Sequence, residues 1–549
     1  MPAEATTAAL VTSRRPSAED PDAPLARRSP YGRWRAFTLI LVYVLMAAHV
    51  VHWQWKGRTL APLELHEVMF TAELGIVTAG FLFMALAIVA TGIFGRFFCG
   101  WACHMMALQE LCAWILRKLG IRRKPIRARL IAWAPFAVML YMFVLPQVER
   151  IAAGRPHPGF RITSDTEAIG SFSTGDFWRN LPDPWIAALT FLVCGFLAVY
   201  VLGSRGFCTY ACPYGVLFRA VDRIAPGKVR VTGKCEQCGT CTKVCASGIP
   251  VHEELARHGA VLDPRCMKDL DCVGACPHDA ISFAYGRPLA FARRPAGAAR
   301  KRLRFDFTIG EELLMAAAFA GTLLIFRGLY NQIPFLMSVG LGAASSYVAV
   351  VCLRLLMARE VSFGKAKLKS RGRLRTGGLL FGAVSLVFFL FAGHCAVVQY
   401  SLWRGRSLYA EAKQAADGEV RAAAVAASKQ HLDRVERWAL FPMVEPKWLL
   451  AWDLALEGDP RGAEGMLRAA LEVEPRHAET RYYLAGFLAQ RGDRGGAISE
   501  LRTLLAHAPR HVNAHLQLGR LLEAQGATEE ARREFEMARE LDPTVAGGP

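Results

Sequence analysis

The residues best placed to do chemistry are cysteines, and seven of the chain's 15 lie between positions 235 and 276. Cys235, Cys238, Cys241 and Cys245 form the run C-x2-C-x2-C-x3-C within KCEQCGTCTKVC. Thiolates at this spacing are the soft, anionic donors that hold iron–sulfur cubanes: three wrap one cluster and the fourth reaches its neighbour. A second run, RCMKDLDCVGACPHDAI at 265–281, keeps Cys266, Cys272, Cys276 and Pro277 in step but has Asp269 where a cysteine belongs. The exchange rule predicts a first cluster on Cys235, Cys238, Cys241 and Cys276. The second would use Cys245, Cys266 and Cys272, with Asp269 or nothing at its fourth corner. Asp269 reads either as a surface residue beside a lost or three-iron cluster, or as an oxygen ligand to one exchangeable iron. Four cysteines can also hold zinc, but two interlocked runs favour ferredoxin chemistry.

Two further pairs repeat each other. FFCGWACHM (97–105) parallels GFCTYACPY (206–214), so Cys99/Cys103 and Cys208/Cys212 are both C-x3-C. Residues four apart share one side of a helical turn, and two such pairs are expected to converge. They read as a further cluster, a site that binds or reduces a metal ion, or a thiol/disulfide couple. Cys112, Cys194, Cys352 and Cys395 stand alone and read as packing residues.

The elements that must position these residues are membrane helices. The chain is 53% hydrophobic yet carries 66 Lys+Arg against 47 Asp+Glu, for a net charge of +19. Spanning apolar runs joined by basic loops account for both, and they argue against a nucleic-acid binder. Runs near 36–53, 68–94, 130–147, 185–203, 312–330, 333–357 and 377–399 predict about seven helices, the third being short and containing Pro135. The first lacks a small-residue cleavage site and reads as retained, after a disordered segment 1–35. Segments 95–129 and 354–375 each hold eight basic residues and one acid, Glu110 or Glu360. Positive-inside then places the N-terminus and residues 204–311 in the cytoplasm and everything after 399 on the far side. Helices 1–2 and 3–4 read as duplicated hairpins, each delivering a C-x3-C to the same face.

His49, His52 and His394 lie near the outer ends of their helices. A b-type haem on His49 or His52 with His394 would bridge part of the ~30 Å hydrocarbon core, as would a quinone. Interfacial histidines beside Trp53 and Trp55 are the stronger reading.

The C-terminal region has a 34-residue period in Gly458/Gly492/Gly526, Ala463/Ala497/Ala531 and Pro475/Pro509/Pro543. Leu450/Leu484/Leu518 and Leu454/Leu488/Leu522 follow it. This predicts three tetratricopeptide (TPR) units over 444–545 after a helical lead-in, presenting a concave surface to a protein partner.

The fold expected is therefore mainly α: a polytopic membrane protein with an inserted two-cluster ferredoxin-like domain and a C-terminal TPR solenoid. Its parts are a membrane domain (36–225), an iron–sulfur domain (226–290), a second membrane domain (311–400), a linker (401–443) and the repeats. On FCGWAC (98–103), FCTYACPYG (207–215) and the seven cysteines of 235–276, the chain resembles the membrane polyferredoxin family typified by NapH, NosR and the oxidase-assembly protein CcoG. The resemblance covers about 36–290 and implies electron transfer at the bacterial cytoplasmic membrane, serving a periplasmic reductase or metalloenzyme maturation. His104 stands where that family's first motif has Pro. Three functions follow: an electron carrier exchanging with quinone or a soluble donor, an assembly factor reducing a metal or thiol for a client held by the repeats, and a redox-sensing scaffold. The first is preferred, because seven cluster ligands and spanning helices serve it most directly.

Overall fold

The computed structural model describes residues 29–541 apart from 62, 64–66, 122–124, 163–171, 176–182, 289–304 and 365. Most of the expected disordered N-terminus, the basic triplet Arg122–Lys124 and the closing Pro543 lie outside the described residues. The chain divides into two compact units, one of residues up to 327 with 334–385, the other of 328–333 with 386–549.

In the first unit, Pro30–Lys56 is one helix of 27 residues, starting six residues earlier than the apolar run suggests because Pro30 sits at its first turn. The expected run 68–94 is broken into Glu67–Leu74 and Ala79–Phe94. Gly75 causes the break. Its φ is +69°, and a Cβ there would stand 1.8 Å from the Gly159 carbonyl oxygen. Thr78 then caps the new helix by accepting from the Phe81 N–H. Six helices among the described residues are long and apolar enough to cross a membrane, and Ala79–Phe94 is a shorter seventh.

Both hairpins end alike. Ala79–Phe94 stops at Gly95 (φ +75°) and the stretch Pro184–Leu202 stops at Gly203 (φ +90°). Each is followed by a five-residue helix, Phe97–Trp101 or Gly206–Tyr210, carrying the first cysteine of its pair. The second cysteine is not on that helix. Cys103 is extended (φ −83°, ψ 123°) and opens the helix His104–Lys118, and Cys212 precedes Pro213 at the start of Tyr214–Asp222. The single shared turn expected from the spacing is therefore replaced by a break, which aims the two sulfurs independently.

The inserted domain is built on two antiparallel strands, Gly227–Val231 and Ile281–Tyr285, with short helices Thr240–Val244, Val251–His258 and Asp271–Gly274 between them. Val229, Ile249, Leu255, Val261 and Ile281 form its core, and the cysteines pack around it. Helices Ile309–Phe326 and Phe335–Met357 follow, the former opened by a reciprocal Thr308/Glu311 cap.

The second unit takes up the C-terminal part of the helix Thr376–Gln414, then Gly418–Trp438 and three helical hairpins starting at Val444, Ala478 and Val512. The 34-residue period has a direct cause. Gly458, Gly492 and Gly526 turn each hairpin with φ between +82° and +87°. Ala463, Ala497 and Ala531 are buried where paired helices approach most closely, and Leu484, Leu501, Leu518 and Leu522 fill the common core.

Candidate functional site

The seven cysteines of the inserted domain line two separate cavities. Cys235, Cys238, Cys241 and Cys276 line one. Cys245, Cys266 and Cys272 line the other, together with Asp269. The structure thus brings the seven cysteines together in two groups. Left-handed Gln237, Gly239, Lys268 and Leu270 curl the backbone around the two cavities. Among the described residues no three Cys, His, Asp or Glu side chains gather closely enough to hold a single metal ion. The sulfurs surround a volume rather than a point, and that arrangement suits a cubane.

The thiols fit an anionic cluster in a second respect. Burial pushes Cys241 up to about 12 and Cys245 up to about 11, and lifts Cys272 well above the ordinary thiol value, with neighbouring sulfurs adding to the effect in Cys241 and Cys272. Such groups ionise only if a metal takes the proton's place.

Asp269 is not a solvated surface residue. Its Oδ2 pairs with the Arg205 guanidinium, which is 2% exposed. Its Oδ1 is buried, lies 3.4 Å from Arg35 Nη1 and makes no hydrogen bond. Arg35 also pairs with Asp271 at 2.9 Å, and both arginines reach Glu110, at 3.3 and 3.0 Å. Burial alone would raise Glu110, yet Arg205 and Arg35 hold it below the usual carboxylate range. Both carboxylate oxygens thus lie against buried guanidinium groups, beside the cavity that Cys245, Cys266 and Cys272 line.

The two C-x3-C pairs come together. Cys99, Cys103 and Cys208 meet around Leu39, Met106, Ala107 and Met267, while Cys99 and Cys212 flank Met84, Tyr214 and Phe218. Gln109 Nε2 donates to Cys208 Sγ at 3.0 Å and Arg96 Nη2 to Cys99 Sγ at 3.7 Å. Burial pushes Cys103 up to about 12, and Cys99 adds to it. The quartet adjoins the Asp269 cavity: the Gly100 position is so tight that a Cβ would stand 2.3 Å from the Met267 carbonyl oxygen. Trp101 Nε1 donates to the Lys268 carbonyl at 2.9 Å, tying the first hairpin to the same loop.

The remaining candidates are placed elsewhere. His104 starts its helix, and its carbonyl accepts from Tyr43 at 3.1 Å. His49 Nε2 lies 3.1 Å from the Leu60 carbonyl oxygen, and His52 Nδ1 lies 3.0 Å from Thr59 Oγ1. His394 stacks on Trp438, with ring centroids 6.1 Å apart. Cys112 and Cys194 are fully buried. The sequence reading missed Arg35, Arg96, Gln109 and Arg205. A signal for two of them was available: extending the hairpin repeat upstream gives RFFC and RGFC, an arginine three residues before each first cysteine.

The comparisons with known proteins bear on the hairpin segments and on the repeats. The family described as "4Fe-4S binding domain" matches residues 76–122 and 185–232, the two segments that carry the C-x3-C pairs. Two tetratricopeptide families match 449–501 and 488–546. The methylamine utilization ferredoxin-type protein MauN of Methylobacillus flagellatus is 28% identical, covering 32% of this chain and 54% of its own. The ferredoxin-type protein NapH of Haemophilus influenzae is 23% identical, covering 46% and 88%. YccM of Escherichia coli, whose name concerns electron transport, is 26% identical, covering 42% and 62%. The chain spans only 62% and 54% of the lengths of YccM and MauN. A crystal structure of MamA covers 22% of this chain and 70% of its own, at 18% identity and a TM-score of 0.21. Over its cysteine-bearing segments the chain is similar to ferredoxin-type proteins such as NapH, and its C-terminal part matches tetratricopeptide repeats.

Proposed function

We propose that this chain carries electrons between its iron–sulfur domain and a membrane-side acceptor or donor, with the repeats docking the partner protein. The division of the cysteines between two cavities supports this reading more than any other observation. Cys235, Cys238, Cys241 and Cys276 hold one 4Fe–4S cluster. Cys245, Cys266 and Cys272 would hold the second, with Asp269, paired with Arg205 and Arg35, beside its fourth corner. Cys99, Cys103, Cys208 and Cys212 hold a third group at the hairpin tips. Bound clusters supply one-electron chemistry. The protein's part is to keep the three sites contiguous, to exclude water with Phe98, Phe218 and Met267, and to orient Asp269 through Arg205.

The chain lies in the bacterial cytoplasmic membrane with the iron–sulfur domain inside and the repeats outside, following the loop charges. EPR of anaerobically purified protein with iron counted per chain tests the assignment. Reduced cubane signals are expected, together with an oxidised three-iron signal that converts on adding iron. Zinc without iron would sink it.

Assembly of a client metalloenzyme is the second reading, favoured by the meeting of the two C-x3-C pairs, whose thiols would do the reducing. Cys99→Ser with Cys208→Ser separates the two: retained clusters but lost metal reduction supports assembly. A pyridine haemochrome assay decides whether His49, His52 or His394 carries haem.

A further inference from the structure

The duplicated arginines have diverged, and the difference carries information. Arg205 is buried among carboxylates, Asp269 and Glu110. Arg96 occupies the matching position in the first hairpin and is 1% exposed, yet no carboxylate among the described residues pairs with its guanidinium. Nη1 donates to the Pro264 carbonyl at 2.8 Å, Nη2 faces Cys99 Sγ at 3.7 Å, and Nε is buried without a partner. Asp222 touches Arg96 only through its backbone N–H, at 3.2 Å.

That carboxylate is already committed to two buried lysines, Lys228 Nζ at 2.8 Å and Lys268 Nζ at 3.0 Å. Arg219 sits nearby, donating to the Cys208 and Thr209 carbonyls at 3.2 and 3.0 Å, with its Nε also unpartnered. Arg96, Arg219, Lys228 and Lys268 against Asp222 leave three positive charges in excess beside the cysteine quartet. The adjoining set of Arg35 and Arg205 with Glu110, Asp269 and Asp271 instead has one negative charge in excess. Buried cations persist only with an anion to pair with. Four thiolates around an iron–sulfur core make such an anion, whereas thiols or a disulfide do not. Gln109, 1% exposed, supplies a second donor to the same sulfurs, its Oε1 being buried and unpartnered.

We infer that Arg96 and Gln109 are positioning residues that hold the hairpin cysteines as an anionic cluster site, and that Arg96 couples this site to the neighbouring one through Pro264, two residues before Cys266. The inference rests on the proposed cluster at Cys99, Cys103, Cys208 and Cys212 and adds what sets its potential. Hydrogen bonds and positive charge at cluster sulfurs raise the reduction potential by stabilising the more negative state.

The test is an EPR-monitored redox titration of the full-length protein in nanodiscs, with iron counted, on wild type, Arg96→Lys, Arg96→Gln and Gln109→Leu. Arg96→Gln and Gln109→Leu are each expected to lower the midpoint of the hairpin cluster, while Arg96→Lys retains most of it. The Cys235-containing cluster should not move in any variant. Midpoints equal to wild type in both Arg96→Gln and Gln109→Leu would overturn the inference. Gln109→Leu removes no charge and decides alone if Arg96→Gln does not fold. Cys208→Ser with undiminished iron and unchanged signals would instead overturn the cluster reading beneath it, an outcome distinct from a null shift.

Discussion

At the scale of single residues, Asp269 is defined by what surrounds it. Two nearly buried arginines converge on it, and removing one partner of such a pair costs about 3–5 kcal/mol because the other charge is left stranded. Asp269→Ala is therefore expected to destabilise the first unit by about 3 kcal/mol in denaturant unfolding and to release iron from the Cys266 site before the Cys235 site. A loss no greater than that of an ordinary surface change would count against the buried network. Asp453 behaves differently. It is fully buried on the repeats' first helix, and Ser428 donates to its Oδ2 at 2.6 Å while Oδ1 has no partner. Burial raises its carboxyl to about 6. A raised folded-state value means that the neutral form is favoured. Stability is therefore greatest below the unfolded value near 4 and falls as pH rises through about 6. The loss should be on the order of 2 kcal/mol after solvent screening. Asp453→Asn should flatten this dependence in thermal unfolding followed by circular dichroism across that range.

At the scale of elements, the break after each hairpin helix decides the geometry. The short helix Phe97–Trp101 brings Gly100 against the Met267 carbonyl oxygen, where a Cβ would lie at 2.3 Å. Gly100→Ala should push the 263–272 loop away, losing iron at the Cys266 site while the Cys235 signal persists in EPR. Loss of both signals together would show that the loop is not the part displaced. The grouping of the cysteines into two sets was legible in the sequence as a spacing pattern, which cubane ligation would impose on the chain. The repeat period was legible because small residues must recur wherever helices meet. The split at Gly75 was not, since it depends on Gly159, remote in sequence. Nor was the split of each C-x3-C pair, because three intervening residues fit a continuous helix as well as a break. The Arg35–Asp271 contact joins residues 236 apart, and no local pattern announces it.

At the scale of the whole molecule, the two units divide the candidate residues: one gathers every iron–sulfur candidate and the other every repeat. The basic strands Ala366–Ser370 and Arg373–Leu374, between helices Phe335–Met357 and Thr376–Gln414, carry the strongest positive charge in the second half of the membrane region. Such segments resist translocation. On the proposed orientation, with them held inside, the helix Thr376–Gln414 carries the chain outward. Alkaline phosphatase fused after Leu541 should therefore be active in intact cells, and the same enzyme inserted between residues 290 and 303 should be inactive. Activity in the reverse order would invert the orientation and place both the clusters and the repeats' partner on the wrong sides. Deleting 418–541 provides the complementary measurement. If the units fold as separately as their internal packing implies, the shortened protein keeps its iron and its redox midpoints and loses only capture of its partner.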